Sequence, residues 1–310
     1  MDTAATAELT YQGRLLRDES HTPGRLAVTA TDAAGSELRE RLDTDGYVLL
    51  RDALPRDEVL EAGHELYRRI AAAGQLHPDY PPEEGIAKPG LSVLAAHDEG
   101  RHNPPLERVV FGAPMLAVFE RIFDAPVRHF DYIWVRAKSP GVDTPTPPHY
   151  DIVFMGRGTQ NLLTGWTPLC DVPLEMGGLM ILEGSHRLTE VQETYGRMDV
   201  DTYCSGTPEA DPVLSGASRW VDRHNGGHFT KDATSLPGRL GGRWLMSDYL
   251  AGDLLIFTMH TMHSAGDNHT DRVRVSSDTR YQRAGEPVDE RWIGENPIAH
   301  GPGAKRGLIC

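Results

Sequence analysis

Between residues 127 and 281 the chain is written in short β-type runs separated by turns, at 127–137, 162–169, 179–182, 252–257 and 273–281. No helical period joins neighbouring runs, and the turn 171–178 (DVPLEMGG) reverses the chain within eight residues. Parallel strands need crossovers of a dozen or more residues, so this spacing predicts an antiparallel barrel or sandwich. One long stretch, 188–246, breaks the rhythm with Gly, Pro, Asp and scattered aromatics and is predicted to close over the mouth of the barrel as a lid.

What precedes this region reads as support for a sheet. Residues 37–42 look helical, Gly46-Tyr47-Val48-Leu49-Leu50 is a compact strand, and a helix is predicted from Pro55 to just before Gly74. Its stripe of Val59, Leu60, Leu66, Tyr67 and Ile70, with Asp57 and Glu58 in the first turn, suits packing on the outside of a sheet. A second amphipathic helix, 114–123, buries Leu116, Phe119, Ile122 and Phe123, and the Pro-rich connection 75–105 is predicted to be irregular and to border a binding site. The chain therefore divides as an arm (1–35) with an edge strand near 9–15, a mainly helical support (36–126), the β core (127–283) and a peripheral tail (284–310), all in one domain of 310 residues.

Charge and cysteine content narrow the partner. A net charge of −14 leaves no general basic surface for phosphates, which excludes nucleic acid and anionic membranes and favours a small molecule. Three widely spaced cysteines make neither a disulfide framework nor a zinc site. With no apolar run of membrane-spanning length and no signal-like start, a cytoplasmic protein is expected.

Chemistry concentrates in Pro147-Pro148-His149-Tyr150-Asp151-Ile152-Val153-Phe154. On an extended strand, residues two apart point to one side, so His149 and Asp151 are predicted to be adjacent metal ligands. Two His and one carboxylate with the other positions open form the facial triad of non-haem Fe(II) oxygenases. The other His-x-Asp pair, His77 and Asp79, sits in a proline-rich loop without a strand period to align it. A third ligand is expected within 258–268, where His260 and His263 lie on opposite faces of a strand, so only one qualifies. Trp134, Arg136 and Lys138 share a strand face, as do Arg274, Ser276, Asp278 and Arg280, a polar row suited to the lining of a wet cavity. Arg272, Arg274 and Arg280 all offer a guanidinium fork for a carboxylate.

The order Gly46-Tyr47, His149-x-Asp151, Gly177-Gly178, Gly184-Ser185-His186-Arg187, Gly252-Asp253, His263 and Arg274 resembles the phytanoyl-CoA dioxygenase family of Fe(II)/2-oxoglutarate-dependent oxygenases, over roughly residues 36 to 283. The resemblance implies a mainly β fold with flanking helices, a double-stranded β-helix or cupin-like jelly-roll barrel. It implies His149, Asp151 and His263 as iron ligands, Arg274 as the partner of the far carboxylate of 2-oxoglutarate, and Trp166 as a wall of the co-substrate pocket. Fe(II), 2-oxoglutarate and O2 are then the cofactors, and a small organic metabolite is oxidised with release of succinate and CO2. Because Asp151 is retained where related halogenases carry a small residue, oxygenation is expected rather than halogenation. The acidic chain shows no Lys/Arg cluster for a CoA diphosphate, so a free metabolite such as a natural-product intermediate is expected, with Arg136, Trp220 and Trp244 as candidate contacts. Two other readings share the barrel: a cupin-type metalloenzyme without 2-oxoglutarate, against which Arg274 stands, and a non-catalytic binding protein, which would be expected to have lost a ligand.

Overall fold

The computed structural model describes residues 9–17, 20–90, 102–142, 145–206 and 224–308. First comes a hairpin, β1 (Thr10–Tyr11) and β2 (Arg14–Leu15), turned by Gln12 and Gly13 at φ 51° and 72°. The carboxylate of Asp267 ties it down, accepting from the backbone N–H groups of Gln12 (2.8 Å) and Gly13 (2.9 Å). Strands β3 (Gly24–Arg25) and β4 (Val28–Thr29) lead to helix α1 (Gly35–Asp45), strand β5 (Tyr47–Leu50) and helix α2 (Arg56–Ala72). Helices α3 (Pro104–Phe111) and α4 (Ala113–Phe123) precede β6 (Val127–His129), β7 (Trp134–Lys138), the one-turn helix α5 (Ile152–Met155), β8 (Leu163–Pro168) and β9 (Leu179–Leu182). Then follow β10 (Thr202–Cys204), β11 (Trp244–Met246), β12 (Leu254–Thr258), β13 (His263–Ala265), the long β14 (Arg274–Arg283) and β15 (Arg306–Leu308).

Two sheets carry the fold. The larger runs β4-β5-β12-β8-β14-β6, with β7 also paired to β14, and the smaller runs β13-β9-β11-β3. Apart from the short β4–β5 and β11–β3 pairs the ladders are antiparallel, as expected from the short turns, and the arrangement is that of a double-stranded β-helix. Alternation sorts each strand of the larger sheet between two cores. Tyr47, Leu49, Trp166, Leu255 and Phe257 meet Leu179, Ile181 and Leu245 of the smaller sheet, while Val48, Leu50, Leu254, Ile256 and Val275 pack beneath the helices. Both faces of β12 are thus buried, which explains its unbroken Leu-Leu-Ile-Phe run. Each such side chain contributes roughly 1.5–3 kcal/mol by burial.

The helices lie where their stripes predict. Val59, Ala62, Gly63, Leu66, Tyr67 and Ile70 form the buried face of α2. A Cβ at Gly63 would stand 2.0 Å from the Leu169 carbonyl oxygen, so the helix rests directly on the backbone at the end of β8. Helix α1 stops at Gly46, whose φ of 79° turns the chain straight into β5.

Three expectations need correction. Residues 102–105 are not irregular throughout: Asn103 caps α3, accepting from the Leu106 N–H at 3.2 Å, and prolines at its first turn lack N–H groups that would be unpaired there anyway. The segment 152–154, β-prone by composition, is helical in α5. The tail is not peripheral. Arg291 and Trp292 are buried, and Asp201 accepts from Arg291 (2.6 Å), Lys305 Nζ (2.6 Å) and His300 Nδ1 (2.9 Å), while β15 pairs in parallel with β10. Charged residues scattered over a Gly- and Pro-rich stretch gave no sign that their partners lay about a hundred residues earlier.

Candidate active site

His149 and His263 stand directly opposite each other in a backbone bridge, each N–H donating to the other's carbonyl at 3.1 and 3.2 Å. The Pro-Pro lead-in keeps the chain extended as far as this bridge. At Asp151 it turns: φ −66° and ψ −29° begin α5, and the Ile152 N–H donates to Met259 O. His149 and Asp151 therefore converge through a strand-to-helix turn and not through the alternation of a continuous strand. The pair was legible from sequence, its local geometry was not.

Orientation of the imidazoles follows from their hydrogen bonds. Nδ1 of His149 donates to Pro147 O at 2.8 Å and Nδ1 of His263 to Thr261 O at 3.0 Å, which leaves both Nε2 lone pairs free for a metal. Each Nε2 lies 3.7 Å from Oδ1 of Asp151, and one ligand atom from each of the three residues falls within 4.8 Å of the others. Burial pushes both imidazoles below the ordinary histidine range, His149 further because His263 and His228 also crowd it. Burial, the largest single influence, opposes ionisation of Asp151, but the Arg280 guanidinium, the imidazoles and the Thr164 hydroxyl together outweigh it and hold the carboxyl well below the usual range. Neutral imidazoles and an ionised carboxylate are the protonation states a metal requires. Among the described residues no other His, Cys, Asp or Glu group meets this geometry.

His149 and His263 line a pocket between the two sheets, walled by Trp166, Leu179 and Phe257 and lined further by Arg136, Thr146, Ser264, Arg274 and Asp278. Arg274 is buried and donates to Gly177 O at 2.6 Å, while its Nε and the Ser276 hydroxyl are buried without a partner. Burial lowers the Arg274 guanidinium to about 10, which leaves it charged at neutral pH. Lys138, directly opposite Arg274 in the β7–β14 register, also has a buried Nζ with no partner. Such orphaned donors fit an anionic ligand.

The remaining candidates fall into place around this pocket. Arg136 lines it, but its fork is engaged by Asp278 at 2.9 and 3.3 Å. Trp244 belongs to the core instead: it is 1% exposed, and its indole N–H donates to Ala233 O at 2.9 Å. Trp220 lies outside the described residues. His260 is absent from the ligand group and packs edge-on against Tyr150, and Arg272 is exposed. Sequence reasoning missed Thr164, which donates to Oδ2 of Asp151 at 2.5 Å, and His228, whose ring centroid lies 5.5 Å from that of His149. Neither position carries a local signal. Arg280 was visible on the correct strand face, yet its partners, Asp151 at 2.7 Å and Asp278 at 2.6 Å, are tertiary facts.

Two imidazoles and one carboxylate beside a pocket between the sheets of a double-stranded β-helix make up the ligand set of the facial triad found in non-haem iron oxygenases. The family model described as phytanoyl-CoA dioxygenase (PhyH) matches residues 42–276, and the chain belongs to that family. It is 28% identical over 153 residues to the 1-deoxypentalenic acid 11-beta-hydroxylase of Streptomyces arenae, covering 47% of this chain and 52% of that protein. The chain thus spans about half the length of that relative. With the enzyme of the same name from Streptomyces exfoliatus it shares 24% over 257 residues, or 78% and 79% of the two chains. The epimerase SnoN of nogalamycin biosynthesis, solved with Fe3+, alpha ketoglutarate and nogalamycin RO, superposes with a TM-score of 0.53 at 24% identity, covering 84% of this chain and 87% of that one. That likeness establishes the fold.

Proposed function

We propose that this chain is an Fe(II)/2-oxoglutarate-dependent dioxygenase that hydroxylates a small natural-product intermediate. One observation carries the reading: one ligand atom each of His149, Asp151 and His263 lies within 4.8 Å of the others, and the two histidines line a pocket that also holds the buried guanidinium of Arg274 with an unused donor. Iron held by the three side chains, with 2-oxoglutarate and O2, supplies the power to oxidise an unactivated C–H bond, with succinate and CO2 as co-products. Arg274 takes the far carboxylate of the co-substrate, with the Ser276 hydroxyl and the Lys138 amine beside it. Trp166, Leu179 and Phe257 exclude water and hold the co-substrate in one orientation.

Arg274 also favours this reading over a cupin-type enzyme without 2-oxoglutarate. The acid substrate named for the Streptomyces hydroxylases supports a small carbon skeleton as the target, and no basic cluster for a CoA diphosphate is evident in this chain. Residues 188–246 are read as the element that selects it, since their described part brings His228 beside the ligand His149. The deciding measurement is succinate formation from 2-oxoglutarate under air, with and without Fe(II), in the presence of a panel of small organic acids that includes 1-deoxypentalenic acid. Turnover that needs both Fe(II) and an organic substrate, and that His263→Ala abolishes, supports the proposal. Equal turnover in His263→Ala would refute it.

A further inference from the structure

Beyond the three ligands, we infer that Arg280 is a positioning residue that makes Asp151 a one-oxygen ligand. This rests on the reading of His149, Asp151 and His263 as a metal site. Oδ1 of Asp151 is the oxygen that faces both imidazoles, at 3.7 Å from each Nε2. Oδ2 is turned away and doubly held, by the Thr164 hydroxyl at 2.5 Å and by the Arg280 guanidinium at 2.7 Å. A carboxylate free to rotate can chelate a metal through both oxygens and so occupy a further coordination position. With Oδ2 engaged by two donors, Oδ1 alone remains, and the positions opposite the triad stay open for ligands that are not protein.

Arg280 is equipped to hold that orientation, because it is buried and its two carboxylate partners are themselves engaged. It is 1% exposed, its Cζ lies 4.2 Å over the Trp134 ring, and its other nitrogen donates to Oδ2 of Asp278 at 2.6 Å. Asp278 is fixed in turn by the fork of Arg136. The row Arg136, Asp278, Arg280, Asp151 alternates in sign and runs from the pocket lining to the ligand carboxylate. Each charge in it has an oppositely charged neighbour, so the buried guanidinium beside Oδ2 is paired and not isolated. Strand alternation supplies the spacing: Asp278 and Arg280 are two residues apart on the inward face of β14, and Thr164 is the registered partner of Arg280 on β8.

The test is Co(II) titration of the metal-free protein, reading affinity by calorimetry and coordination by the Co(II) ligand-field spectrum, with a urea midpoint for every variant. Arg280→Gln is expected to weaken Co(II) binding by about 10–100-fold and to alter the spectrum, as loss of a group that orients a ligand typically does. Arg280→Lys, which keeps the charge but not the two-armed bridge, should fall between. Thr164→Val, which preserves volume, should shift affinity and spectrum in the same direction by less, and it decides the matter alone if Arg280→Gln does not fold. Asp151→Ala separates the two readings. If the wild type binds no Co(II), or Asp151→Ala binds as the wild type does, the metal site itself fails and this proposal with it. If the wild type binds and Asp151→Ala does not, but folded Arg280→Gln and Thr164→Val keep wild-type affinity and spectrum, Arg280 is a core ion pair only and the proposal is overturned.

Discussion

Arg274 and Arg280 sit six residues apart on one strand face, yet the structure gives them different partners. Each keeps a buried Nε without a partner, but Arg280 is held by two carboxylates, whereas Arg274 faces the pocket with a hydrogen bond to the neutral Gly177 carbonyl. Removing a charge-assisted partner from a buried site costs on the order of 2–5 kcal/mol, so Arg274→Ala is expected to raise the 2-oxoglutarate requirement by at least about 30-fold. Fe(II) affinity should stay within a few-fold of wild type, because the hydrogen bond of Arg274 goes to Gly177 O and not to His149, Asp151 or His263. Measuring both constants in one variant checks the assignment, and a parallel loss of both would sink it. At this scale the sequence spoke through the period of two, which put Arg274, Ser276, Asp278 and Arg280 on one side. It could not say which guanidinium ends beside which carboxylate, since Asp151 is 129 residues from Arg280. The ligand pair shows the same division: residue types and spacing were informative, while the turn at Asp151 depends on contacts such as Ile152 N–H to Met259 O.

Helix α2 and strand β12 show why elements were more legible than residues. Their apolar patterns, one helical stripe and one continuous run, reflect burial on one face and on both, and each survives the loss of any single contact. Helix α3 was harder to read, because within a Pro-rich stretch the prolines that start it also suggest a loop. Close backbone approach was invisible as well: Gly63 looks like a weak spot in a helix, but it is the point where α2 meets the Leu169 carbonyl. Gly63→Ala raises intrinsic helix propensity by nearly 1 kcal/mol, and the overpacking against backbone outweighs it. A net loss of about 1–3 kcal/mol is expected, seen as a lower urea midpoint with an unchanged slope. A stabilised variant would mean that the helix can lift away from β8.

For the molecule as a whole, the charge cluster at Asp201 joins residues 199–204 to residues 289–305. Burial works against ionised Asp201, but hydrogen bonds and charge from His300 and Lys305 hold its carboxyl well below the usual range. A folded value below the unfolded one of about 4 means this stabilisation is complete above that pH and is lost as pH falls towards the folded value. Asp201→Asn is therefore expected to cost about 3 kcal/mol at neutral pH, with the gap to wild type narrowing below about pH 4, as urea midpoints across pH would show. A gap independent of pH would assign the cost to packing. The cluster also bears on the order in which the protein can mature during synthesis. Asp201 leaves the ribosome 90 residues before Arg291, 99 before His300 and 104 before Lys305. At about 5–20 residues per second these cations arrive several seconds later. Until then the carboxylate has no reason to leave water. His149, Asp151 and His263 all precede Arg291 in the chain, so a nascent chain holds all three metal ligands before the cations that take Asp201 out of water have been made.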